Sequence, residues 1–159
     1  GWANGGNKVA TGENSITPAS FKTKLNKKYF ASFSEVQKAQ KGKGQQCLID
    51  ARPAAFFTGD KKHAKARIPG RLANARNLQE GNLIDDSFKM KPSSSIKSQF
   101  GGLDGVEQYK GYITYCNTGH WAATVWFGLS EIAQIPDVKM YDGGMTHWTS
   151  NPKRKVDLG

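Results

Sequence analysis

The string YITYCNTGHWAAT, from Tyr112 to Thr124, constrains the fold more than any other. Gly111 to Tyr115 is β-branched and aromatic, as strands are. After a polar corner, Ala122, Val125, Trp126, Leu129, Ile132 and Ala133 recur at the i, i+3, i+4 and i+7 spacing of an amphipathic helix that closes near Pro136. A strand that runs straight into a helix is a unit of a parallel sheet, whose strands need crossovers.

The rest of the chain supplies more such units. Gln46 to Asp50 (QCLID) is a compact apolar run ending in a polar residue, the pattern of a buried parallel strand, and ARNL near Leu78 reads as another. Asp137 to Tyr141 (DVKMY) reads as a last short strand, and GGMTHW starts a last helical turn. Between these lie two helical segments. SFSEVQKAQK has Ser34 as candidate N-cap, Glu35 in its first turn and GKG as its stop; SSSIKSQFGGL reads as a capped helix closed by Gly101 and Gly102. The alternation predicts an α/β domain with a mainly parallel sheet covered on both faces. At 159 residues the chain has room for one such core.

Residues 1–32 are rich in Gly, Asn, Lys and Ser without apolar period and read as a linker or wrapping segment, with the domain proper over 33–159. The opening WANGGNKVATG echoes the closing WTSNPKRKVDLG, as expected if the chain starts with the last residues of a preceding, similar domain. No apolar run approaches the roughly 18–20 residues of a membrane span. The net charge of +10 suggests affinity for anions of some kind, of which nucleic acid is one. The lysines are scattered without interleaved aromatics or a nucleic-acid motif, so nucleic acid is not expected as a partner. Two cysteines without CxxC or Cys/His spacing support neither a disulfide framework nor a metal site, and no cofactor is expected.

Cys116 stands on the corner itself. A cysteine between a strand end and a helix N-terminus faces unpaired N–H groups and the positive end of the helix dipole, which favours the thiolate. Gly119 lets the loop backbone take crowded conformations in which successive N–H groups converge on one anion, and His120 adds a donor at the rim. The corner suits a nucleophilic cysteine whose product is also an anion. Cys47, inside an apolar strand, reads as a small buried hydrophobe.

Three blocks together resemble the rhodaneses, the thiosulfate and mercaptopyruvate sulfurtransferase family. LIDARPAAFFTG (Leu48 to Gly59) is similar to the family's opening Leu-Ile-Asp-x-Arg, RIPGRLANARNL to its Gly-His-Ile-Pro-Gly-Ala region, and YCNTGHWAATVWF with VKMYDGGMTHW to its cysteine loop and closing Asp-Gly-Gly. The resemblance runs from about Phe33 to Trp148. It implies five parallel strands with helices on both sides, and a double displacement: Cys116 takes the outer sulfur of thiosulfate or 3-mercaptopyruvate as a persulfide and yields it to a thiol or cyanide. Backbone N–H groups of Asn117, Thr118, Gly119, His120, Trp121 and Ala122 would hold the persulfide. The opening segment resembles the linker of a tandem enzyme, making this the cysteine-bearing C-terminal half.

The loop departs from the family pattern in carrying no fixed positive charge: Asn117, Thr118 and Trp121 stand where relatives hold cationic residues, and Phe56 stands where tandem members often have arginine. The middle block admits two alignments. In one, Arg67 replaces the family's histidine; in the other, which is preferred, Arg71 does, and Asn74 takes the place of a glycine, which asparagine tolerates. Either brings Arg71 near the site as a candidate anion ligand. Arg52 is expected near the pocket floor, chiefly as an ion-pair partner of Asp50. Trp121 is placed to wall the pocket, whereas His63 and His147 read as surface or packing residues. A non-catalytic binding module and, less favoured, a rhodanese-fold phosphatase are the alternatives. The Asn-Thr-Gly-His-Trp string resembles exported bacterial tandem members, which points to the periplasm, with the cytoplasm as alternative.

Overall fold

The computed structural model describes residues 1–159. Four strands form one parallel sheet: β1 (Gln46–Asp50), β2 (Arg76–Asn77), β3 (Gly111–Tyr115) and β4 (Val138–Met140), in the order β2-β1-β3-β4. The central strands β1 and β3 are mainly apolar, Gln46, Asp50 and Thr114 apart, because both of their faces are covered. Cys47, Ile49 and Tyr112 face a core with Leu78, Ile96, Val125 and Leu129, while Leu48, Ile113 and Tyr115 face a second core with Val36, Leu72, Met145 and Trp148. Each large side chain buried in this way stabilises the fold by about 1.5–3 kcal/mol.

The α/β class with helices on both faces is as expected, but the sheet has four strands where five were expected. The fifth position is reduced to one parallel bridge, Phe30 to Met140, with the Ala31 N–H donating to the Met140 carbonyl at 2.8 Å. A 3₁₀ turn over Lys27–Tyr29 precedes the bridge and a helix cap at Ser32 follows it, so no ladder has room to grow. Residues 1–26 are exposed.

Helix α1 (Phe33–Gln40) is capped two residues earlier than expected: Ser32, not Ser34, accepts the Glu35 N–H, and the Glu35 carboxylate accepts the Ser32 N–H at 2.8 Å. Helix α2 (Ala54–Thr58), too short for a readable period, follows β1. Helix α3 (Ser93–Gly101) begins after Pro92 without a side-chain cap, so its serines do not act as the expected cap; the Gly102 N–H closes it onto Ser98. Helix α4 (His120–Phe127) continues as a π-helical turn over Gly128–Ile132. There the bare Gly128 lets Leu83 and Met90 close in; a Cβ would lie 2.8 Å from the Met90 methyl. Helix α5 is Gly144–Ser150.

Candidate active site

The carboxyl ends of β1 and β3 lie side by side, with Asp50 opposite Tyr115, and both chains leave the sheet there. Ligands of parallel sheets bind at this edge. Cys116 is the first residue beyond β3. The Thr114 hydroxyl donates to the Ala122 carbonyl at 3.1 Å, tying the strand end to the first turn of α4 and closing the corner.

Within the corner the Gly119 N–H donates to Cys116 Sγ at 3.1 Å. Gly119 adopts φ 94°, and a Cβ there would stand 2.6 Å from the Asp142 carboxylate, so the residue type is set by both conformation and space. The opening N–H groups of α4 have no acceptor inside the helix. On the far side, the Cys116 and Asn117 carbonyls accept the Met145 and Thr146 N–H groups at 2.8 and 3.1 Å. That close approach needs Gly144, at φ 54°, where a Cβ would lie 2.5 Å from the Cys116 oxygen.

A pocket of about 240 Å³ opens over the sulfur, lined by His63, Cys116, Asn117, Thr118, His120 and Trp121. Phe56 meets Trp121 edge-on at 6.0 Å and backs this apolar wall. Thr118 Oγ1 and His120 Nδ1 are 3.2 Å apart at the exposed rim. The lining contains no carboxylate.

Arg52 lies beneath, 3% exposed. Its guanidinium forks onto Asp50 at 2.6–3.1 Å and donates to the Gly70 carbonyl at 2.9 Å and to Asn117 Oδ1 at 3.4 Å. Burial works against its charge, but Asp50 outweighs burial and raises the arginine further above its ordinary range. Arg52 is thus a buried ion-pair partner that positions Asn117, and it does not line the pocket. Asn77 pins the exit of β1 by donating to the Asp50 and Arg52 carbonyls at 2.9 and 2.8 Å.

Arg71 is not brought into the pocket. Its backbone bridges Asp157, and its guanidinium stacks over the Phe57 ring at 4.5 Å while donating to the Phe57 carbonyl at 3.3 Å. The anion-ligand role expected of it has no geometric support here. Asn74 takes φ 63°, the left-handed conformation expected of it. Ala122 and Gly119 are buried within the corner and act through the backbone alone. His63 is the pocket residue that sequence reasoning passed over; the available signal was its place in the polar stretch after β1, which returns to the ligand-binding edge of the sheet.

Residues 32–151 match the rhodanese-like domain family. The chain belongs to the rhodanese family. Among its relatives, the 3-mercaptopyruvate sulfurtransferase of Escherichia coli K12 is 30% identical over 111 residues, covering 69% of this chain and 38% of that protein. The mitochondrial thiosulfate/3-mercaptopyruvate sulfurtransferase 1 of Arabidopsis thaliana is 24% identical over 143 residues, covering 89% of this chain and 37% of that one. A structure of EanB bearing a cysteine persulfide, with ergothioneine, superposes at a TM-score of 0.85 and 17% identity, over 99% of this chain and 39% of that one; this shows a common fold. The rhodanese domain described here spans between about a third and little more than half of the length of the curated relatives it matches.

Proposed function

We propose that this rhodanese domain is a sulfurtransferase in which Cys116 carries the sulfur as a persulfide. The Cys116 thiolate attacks the outer sulfur of thiosulfate; the S–S bond to the sulfonate breaks, its electron pair leaves with sulfite, and a cysteine persulfide remains. Attack by cyanide or a thiolate on the outer persulfide sulfur returns the thiolate and releases thiocyanate or a new persulfide. With 3-mercaptopyruvate the C–S bond breaks, its electron pair leaves as the enolate of pyruvate, and the enolate carbon takes up the thiol proton to give pyruvate. The observation that carries the reading is Cys116 Sγ itself: it lines the pocket beyond β3 and accepts a backbone N–H at the start of α4. Such N–H groups stabilise the charge wherever it sits, on thiolate or persulfide, without reorganising between the two half-reactions.

The pairing of this domain with a preceding rhodanese domain, and a bacterial periplasmic setting, belong to the same proposal; the first draws on the greater length of the sulfurtransferase relatives. Intact-mass spectrometry before and after thiosulfate or 3-mercaptopyruvate tests the chemistry. One added sulfur that cyanide removes and that Cys116→Ser lacks is expected. If neither donor adds sulfur, the binding-module reading replaces this one.

A further inference from the structure

The Cys116 loop carries no lysine or arginine, yet the proposed donors and the persulfide are anions. Two side chains of the pocket are held with their hydrogen-bond donors unspent. The first is Asn117. Arg52 can only donate, so the amide oxygen faces Arg52 at 3.4 Å and the Nδ2 group is turned away from it. That Nδ2 is buried, in a residue 2% exposed, and has no acceptor. A buried donor without a partner is destabilising, a cost removed when a ligand supplies the acceptor. The second is His63. The Lys65 N–H donates to His63 Nδ1 at 3.2 Å, so the neutral ring carries its hydrogen on Nε2.

We propose that the side chains of His63 and Asn117 are a pair of neutral hydrogen-bond donors that bind the sulfur-donor anion, replacing the fixed cations absent from the loop. Each is oriented from behind: Asn117 by the Arg52–Asp50 fork, His63 by its own loop. This inference rests on the sulfurtransferase reading for its ligand class. It differs from the backbone cradle in assigning recognition of the donor anion to side chains contributed by two separate segments, one after β1 and one after β3.

The test measures sulfur loading of Cys116 against thiosulfate concentration in the parent protein, in His63→Phe, in His63→Gln, which keeps an N–H donor, and in Asn117→Asp, which keeps the shape and the Arg52 contact. Half-saturation is expected to rise roughly 3- to 10-fold in His63→Phe and more in Asn117→Asp, and to recover in His63→Gln. Equal half-saturation in all four proteins overturns the proposal. A second measurement holds even if the parent loads no sulfur, an outcome that sinks the sulfurtransferase reading instead. In Cys116→Ser labelled with ¹⁵N, the His63 Nε2–H and Asn117 side-chain amide resonances should shift as thiosulfate is added. Still resonances there would also overturn the pair.

Discussion

At the scale of single residues, the corner depends on side chains that are absent as much as on those present. Gly144→Ala would put a Cβ 2.5 Å from the Cys116 oxygen and 2.6 Å from the Asn117 oxygen, at a positive φ, against backbone that cannot swing aside. We expect a loss of at least about 1 kcal/mol in urea unfolding, with impaired sulfur loading in whatever fraction stays folded; a midpoint equal to that of the parent would refute the clamp. The two cysteines make a second contrast. Both cysteines are buried, each 1% exposed, but burial pushes the Cys47 thiol up to about 11 inside the core, whereas Cys116 lines the pocket beyond β3. Iodoacetamide should therefore label the native protein once and Cys116→Ser not at all, and a label on Cys47 would contradict this. Residue chemistry was only partly legible in the sequence. Cys116 declared itself through its polar and glycine neighbours, and Asn74 through its likeness to a glycine place. His63 and the sequestration of Arg71 by Phe57 did not, because each depends on where a loop folds back, which no local pattern encodes.

Among the elements, helix α1 and strand β4 are joined by one carboxylate with two tasks. Glu35 completes the cap of α1 and also accepts from Lys139 Nζ at 2.7 Å. Partial burial alone would raise its pKa, but Lys139 and Ser32 outweigh burial and lower it from 4.5 to about 2. A depressed carboxylate contributes stability that is fully present above its unfolded value and fades as pH falls through its folded value. The loss should therefore run from about pH 4.5 down to about 2. Since Glu35 is partly exposed, its share is modest, within about 1 kcal/mol. Glu35→Gln should start less stable at neutral pH and lose less between pH 6 and pH 3, as read from urea midpoints; parallel acid losses in both proteins would rule this out. The bounds of β1 and β3 were readable because a strand buried on both faces is mainly apolar, here as Cys47-Leu48-Ile49 and Tyr112-Ile113 with Tyr115. The cap of α1 falls at Ser32 and not at the expected Ser34 because Ser32-Phe33-Ser34-Glu35 places Glu35 at the third helical position, where it completes a reciprocal capping box, a signal that was legible in the sequence.

For the molecule as a whole, one part of the scattered cationic charge lies near the site. Lys61, Lys62, Lys65 and Arg67 are exposed on the stretch that carries His63 to the pocket. An anionic donor should be drawn toward that side, so kcat/KM for thiosulfate should fall as ionic strength rises from about 0.01 to 0.15 M, where screening shortens from about 30 to about 8 Å. A salt-independent kcat/KM would show that the charge does not steer. The missing fifth strand was beyond reach of the sequence, since ladder length depends on competition between a 3₁₀ turn, a bridge and a helix cap within a few residues. The clamp of α5 on the Cys116 and Asn117 carbonyls has a wider consequence. It sorts the corner, with these acceptors consumed at the rear and the Gly119 donor turned toward the sulfur. The result is a permanent electrical polarity written in peptide groups, which gain and lose no protons, so that this part of the site's preference for negative charge is the same in acid as in alkali.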